Sequence, residues 1–384
     1  MKYKQCATLH GHEDAVNTLA FSSSGQYLAA VGYAGALVWD VSPILVGETI
    51  IPIPTPFQHN DPSLVLSTAL WVTFVAAKRD VLIMGSYKGD IIVWGIEQKS
   101  TKGLEPLALH STHSETTSAP GNEIIALAAD APTVAQLGES VRIAAASQDG
   151  YVSVIRVSVD GEIAVVFRHN VSSNDFFPRS LGFVPSSSDL LIFSLHLGVI
   201  KRYNQAGQEI WAAKHGPSPM THVSLLDAQR FVAHVEDHFA LVNLDNGKIL
   251  KRYVIGPQAV AFQKTSAFVQ NRTYVVCGTD QGRAVLFHTD TGKPVQILDY
   301  KGGYGSMVQP VAACDVGNDH YIAIAGSYLY KPSRVMLWCK KEVVDDIQVS
   351  SDSSDKPDST SMVTPVIVAL AGIIGCILLL TGQI

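Results

Sequence analysis

Residues 8–41 read TLHGHEDAVNTLAFSSSGQYLAAVGYAGALVWDV. Gly11-His12 opens the stretch, and Val16-Asn17-Thr18-Leu19-Ala20-Phe21 alternates apolar with polar side chains. That period of two is the mark of a half-buried strand. A Ser/Gly turn follows at residues 22–25, a second strand at 27–31, a Gly-containing turn, and a close on Trp39-Asp40. Short strands separated by turn residues predict an all-β domain.

Working outward, a turn followed by a short apolar strand recurs along the sequence. It appears at residues 89–94, 149–155, 198–203, 238–243, 282–287 and 333–338. With the first unit this makes seven. About 340 residues over seven units is roughly 48 each, a little above the usual period of a repeat of this kind. A second apolar strand precedes these strands, as at residues 81–84, 142–146, 190–194 and 274–277. Four short strands form a sheet with two apolar faces that cannot both be buried alone. Stacking such sheets radially buries both.

The Gly-His and Trp-Asp dipeptides and their spacing resemble a WD40 repeat. The resemblance covers residues 2–341 and implies a seven-bladed β-propeller. In that family a strand before the first Gly-His completes the last blade, and residues 3–9 fit that role. WD40 blades often hold a buried network of His, Ser or Thr, Asp and Trp, and this sequence departs from it. Unit one has His12, Trp39 and Asp40, but Gly32 and Ala34 fall where Ser and Asp are expected. Unit two has Ser86 and Trp94 with Lys88 at the Asp position. Unit three has Ser147 and Asp149 but Ile155 in place of Trp, and unit six has Thr279 and Phe287 with Gln281. Trp338 closes the last unit. Stability is therefore expected to lean on apolar packing. The longest inserts fall at residues 42–68 and 98–122.

Charged residues make up 16% of the 384 residues and hydrophobic ones 47%, with a net charge of -6. With no basic tract, nucleic acid is not the expected partner. The five cysteines, Cys6, Cys277, Cys314, Cys339 and Cys376, are widely spaced and odd in number. They fit a reducing compartment better than a disulfide framework. His10/His12 and His110/His113 lack zinc-site spacing. The Gly302-Gly303-Tyr304-Gly305 run has no following Lys-Ser/Thr, so it reads as a turn. No catalytic residue, metal or cofactor is expected.

From Met362 to Leu380 no residue is charged, and the run reads MVTPVIVALAGIIGCILLL. At helical rise this spans roughly 28 Å, the thickness of a bilayer core. The reading is therefore a propeller over 1–341, a flexible acidic Ser-rich linker over 342–361 and a transmembrane tail anchor over 362–381. Insertion would follow synthesis and leave the propeller in the cytosol, and the short span suits the endoplasmic reticulum. Ala371 and Gly375 form a small-xxx-small pair that supports weak helix pairing in lipid. The Ser-rich spacer also fits a GPI signal, which would require a signal peptide that residues 1–16 do not supply. The expected function is a membrane-anchored scaffold that binds a protein or peptide. Two alternatives stand beside it. One is an endoplasmic-reticulum regulator of nucleotide exchange on a small GTPase, though the Gly-rich potassium-binding loop of such propellers is not found in the first blades. The other is a propeller enzyme, which would need acidic or His residues converging in the central channel.

Overall fold

The computed structural model describes residues 2–42, 50–56, 64–98, 102–112, 122–136, 138–257, 263–301, 307–326 and 332–340. The protein divides into two compact units, 1–342 and 343–384, and every described residue belongs to the first. Met362 and Leu380 lie outside the described residues, as do the linker, the Ala371/Gly375 pair and the Gly302–Gly305 run. Among the described residues no helix is long and apolar enough to cross a membrane.

Strand β1 (Lys4–His12) precedes the first blade, which holds β2 (Val16–Phe21), β3 (Tyr27–Gly32) and β4 (Gly35–Asp40). Blade 2 is β5 (Leu66–Phe74), β6 (Arg79–Ser86), β7 (Asp90–Glu97) and β8 (Glu105–Ser111). Blade 3 is β9 (Ile124–Ala129), β11 (Ser140–Ser147), β12 (Tyr151–Ser158) and β13 (Ile163–Asn170). The two-residue β10 (Thr133–Val134) instead runs parallel to β5 of blade 2. Blade 4 is β14 (Pro178–Phe183), β15 (Leu190–Ser194), β16 (Val199–Tyr203) and β17 (Glu209–Lys214). Blade 5 is β18 (His222–Leu225), β19 (Arg230–Val235), β20 (His238–Asn243) and β21 (Ile249–Val254). Blade 6 is β22 (Ser266–Val269), β23 (Tyr274–Gly278), β24 (Arg283–His288) and β25 (Pro294–Asp299). Blade 7 is β26 (Val311–Val316), β27 (Asp319–Ala325) and β28 (Ser333–Lys340). Its fourth strand is β1, which lies antiparallel to β28 with Lys4 opposite Cys339 and His12 opposite Ser333. The N-terminal strand thus closes the ring, as the position of residues 3–9 predicts.

Burial follows the radial position of each strand. All six residues of β3 are buried, whereas outer strands such as β13 and β21 are exposed at most positions. The apolar side chains gather in seven clusters, each sandwiched between successive blades. Tyr27, Val31 and Val38 of blade 1 meet Trp71, Leu82 and Trp94 of blade 2. Val81, Ile83 and Val93 meet Ile143 and Ile155 of blade 3. At the closure, Leu28 and Trp39 meet Leu9, Ala323 and Leu337 of blade 7. Val38 and Trp39 face opposite neighbours because side chains alternate along a strand. Each large apolar side chain so buried contributes about 1.5–3 kcal/mol.

Two features depart from the sequence reading. Among the described residues blade 1 has three strands, not four. Its outer edge is covered by the proline-rich segment after β4, where Pro52 bridges Trp39 and the Ile53 N–H donates to the Val38 carbonyl at 2.7 Å. Proline cannot continue the ladder outward, so this edge is closed to further pairing. The insert at 98–122 is also shorter than its polar composition implies, because it contains β8, the outer strand of blade 2. No residue of Glu105–Ser111 is fully buried, so its sequence carries little apolar signal.

The mouth of the central channel as candidate functional site

The innermost strands β2, β5, β9, β14, β18, β22 and β26 touch their neighbours in sequence around a closed ring. Their first residues pair with the last or next-to-last residues of the second strands: Val16 with Gly32, Leu66 with Ser86, Ile124 with Ser147, Pro178 with Ser194, His222 with His234. Strand starts and second-to-third turns therefore meet on one face of the propeller, at the mouth of the channel.

Hydroxyls and amides hold this ring together across blades. Asn17 Nδ2 donates to the Leu66 carbonyl at 2.8 Å, and Thr18 Oγ1 to the Ser67 carbonyl at 3.1 Å. Ser67 Oγ donates to the Ile124 carbonyl at 2.5 Å and Ser224 Oγ to the Ser266 carbonyl at 2.9 Å. The Val223 N–H donates to Ser180 Oγ at 3.1 Å, and the Val311 N–H to Thr265 Oγ1 at 2.8 Å. These bonds satisfy backbone groups of the next blade, which would be costly to leave unpaired inside the protein.

On the ring sits a group of ionisable and aromatic side chains. Tyr33 and Tyr87 come from the second-to-third turns of blades 1 and 2. Their ring centroids are 5.6 Å apart, and the Tyr87 hydroxyl donates to that of Tyr33 at 3.2 Å. Glu123, just before β9, is half-buried, and its carboxylate has no hydrogen-bond or ion-pair partner among the described residues. Burial pushes that carboxyl above its ordinary value, and Arg179 partly opposes the shift. Arg179, the second residue of β14, is half-buried and donates from Nη2 to Gln263 Oε1, at the entry to blade 6, at 2.6 Å. Its Nε is buried without a partner. Burial pulls the guanidinium below its ordinary value, with Glu123 and Tyr87 opposing.

Gln263 is fixed in turn. Its Nε2 lies 3.4 Å from His222 Nδ1, and His222 Nε2 lies 3.0 Å from Ser224 Oγ. Burial lowers His222 to about 4, so the imidazole is neutral at pH 7 and can accept at one nitrogen and donate at the other. The series Arg179–Gln263–His222–Ser224–Ser266 carbonyl therefore has every donor matched to an acceptor. Behind it, His234 is fully buried and 2.5 Å from Thr221 Oγ1. Lys264 Nζ and Asp280 Oδ2, both buried, form an ion pair at 3.1 Å. Burial lowers the Lys264 ammonium, and Asp280 holds it up.

The residues singled out in the sequence stand outside this group of side chains. His12 is buried at the end of β1, with Nδ1 3.0 Å from the Asp14 carbonyl. Trp39 is buried, and its indole nitrogen has no hydrogen-bond partner among the described residues. Gly32 explains why: a Cβ there would lie 2.1 Å from the Ala15 carbonyl oxygen, so no Ser fits where the family places one. Asp40 accepts from Ser42 and from Gln26 Nε2. Ser86 Oγ accepts from the N–H groups of Lys88 and Asp90, closing its turn, and Trp94 packs between blades 1 and 2. Ser147 donates to Asp149 at 2.5 Å. Thr279 donates to the Arg283 carbonyl at 2.6 Å, and Trp338 packs against the cluster between blades 6 and 7. These residues fasten individual blades, and the channel mouth does not bring them together.

The polar mouth was missed by the repeat signature. Its signal was a polar residue in the first two positions of innermost strands: Asn17, Ser67, Arg179, His222 and Ser266. Among the described residues no three His, Cys, Asp or Glu gather as a metal site would require. No disulfide joins the described cysteines Cys6, Cys277, Cys314 and Cys339.

Seven radially packed antiparallel sheets around a channel define a β-propeller. The family model for the WD domain, G-beta repeat, WD40, matches residues 3–40. That match and the seven blades together support a WD40-repeat propeller. WD40 domains generally bind protein partners and are generally interaction modules without catalytic activity. Comparison with curated proteins found no match.

Proposed function

We propose that the protein is a membrane-anchored interaction platform that presents the channel mouth of its propeller to a cytosolic protein or peptide, with the apolar segment 362–381 as a tail anchor in the endoplasmic reticulum. The observation that carries the reading is the convergence of Tyr33, Tyr87, Glu123, Arg179, Gln263 and His222 at one mouth of the channel, from six blades or the loops that enter them. Half-buried polar groups with unused hydrogen-bonding capacity suit recognition. Only one carboxylate stands in this group, beside a neutral imidazole, and this favours binding over the enzyme alternative. An anchor would confine binding to one membrane surface and raise the local concentration of the partner.

Proximity labelling in cells, with the label at the N-terminus, tests this reading. The full-length protein is compared with one truncated after Lys341. A set of endoplasmic-reticulum-surface partners that disappears on truncation is the expected result. Identical soluble partners for both forms would overturn the anchored platform.

A further inference from the structure

Arg179 is a guanidinium taken half out of water with one hydrogen bond among the described residues, to a neutral amide. Burying a charge without a counter-charge is costly. No carboxylate lies within ion-pair distance of it among the described residues, although Glu123 is near enough to act on it through space. The Gln263–His222–Ser224 series pins one edge of the guanidinium from the blade 5 and 6 side. A guanidinium carries five N–H donors in a planar fork, and Arg179 uses one of them. The fork matches a carboxylate in two parallel bonds.

We infer that Arg179 is the specificity-determining residue of the channel mouth and that it recognises a carboxylate of the bound partner, either a free C-terminus or an Asp or Glu side chain. The inference rests on the platform reading and names the chemistry of its partner. A carboxylate is favoured over a phosphate for two reasons. The neighbouring cation Lys264 is already joined to Asp280, so a single guanidinium is offered. The Glu123 carboxylate nearby also repels a dianion more strongly than a monoanion. Tyr33 and Tyr87 border the same mouth and supply an aromatic wall with hydroxyls for the rest of the peptide.

The test uses the full-length protein in detergent micelles and three sets of short peptides. One set has neutral sequences with free C-terminal carboxylates. The second is C-amidated with one internal Asp or Glu, and the third is neutral and amidated. The expected result is that one of the first two sets binds above the third, which also identifies the source of the carboxylate. Arg179→Gln then weakens that binding by about 30-fold or more. Arg179→Lys retains part of the affinity, because charge survives without the fork. Glu123→Gln leaves binding unchanged or tightens it. Thermal midpoints confirm that each variant is folded, and Arg179→Lys serves if Arg179→Gln is not. Equal binding of the neutral set, indifference to Arg179→Gln, or no binding by any set would overturn the inference. So would preference for Lys or Arg peptides that Glu123→Gln abolishes. None of those outcomes touches the proximity-labelling result, so loss of the carboxylate reading and loss of the platform reading are separable.

Discussion

Blade 1 and blades 5–6 solve the same packing problem with different chemistry. Blade 1 carries the family signature, yet its Trp39 indole is unbonded among the described residues, its Gly32 excludes a serine, and a proline segment stands in for its fourth strand. Blades 5 and 6 show little of the signature, yet hold the Thr221–His234 contact, the His222–Gln263 link and the buried Lys264–Asp280 pair. The signature residues mark turns and strand ends within a blade. One set of the polar bonds that join a blade to the next is at the starts of innermost strands, where the signature does not look. Apolar clusters are common to all seven junctions, so they do not distinguish the two regions.

The sharpest way to break this contrast is Asp280→Asn. It leaves the Lys264 ammonium buried without its counter-charge, and a loss of about 3–5 kcal/mol in unfolding free energy is expected. Urea denaturation measures it, and a loss under about 1 kcal/mol would mean that the pair is not buried in solution.

A smaller effect comes from pH. His222 and His234 are held at about 4 and about 3, chiefly by burial. Both lie below the ordinary histidine value near 6.5. The unfolded state therefore binds protons that the folded one refuses. Stability is full above about pH 6.5 and falls as pH drops towards the folded values, by about 1.4 kcal/mol per pH unit for each histidine. The stability difference between wild type and His234→Gln should shrink by that slope from pH 6.5 to 5. A constant difference would show that His234 takes up its proton as readily in the fold as in the unfolded chain.

The smallest effect is expected in blade 1. Trp39→Phe removes no hydrogen bond among the described residues and should cost about 1–2 kcal/mol, because the smaller ring leaves part of a buried site unfilled. A much larger loss in a thermal or urea melt would reveal a partner for the indole and erase the contrast.

Much of the fold was legible in the sequence because third strands are buried on both faces. Ile91–Trp94, Val152–Ile155 and Ala284–Phe287 stand out as apolar runs after turns, and counting them gives seven blades. The closing role of the N-terminal strand was legible from its position before the first Gly-His. Outer strands were harder, since β8 and β21 expose most of their residues and read as loop. The channel mouth was not legible at all from motif spacing. Arg179 and Gln263 are 84 residues apart and meet because the ring closes. Glu123 and Arg179 come from different blades and share no local pattern. Only the register of the innermost strands brings them to one rim.

The most direct test of the functional account is the affinity of a partner recovered by proximity labelling, measured on Arg179→Gln and on Leu109→Asp. Leu109 is 68% exposed on the outer strand of blade 2, far from the channel-lining strand of its blade. The account predicts a loss of about tenfold or more for the channel-mouth variant, with wild-type affinity for the rim variant. Loss on the rim variant with an unaffected Arg179→Gln would contradict it and move the binding surface to the outer edge of the blades.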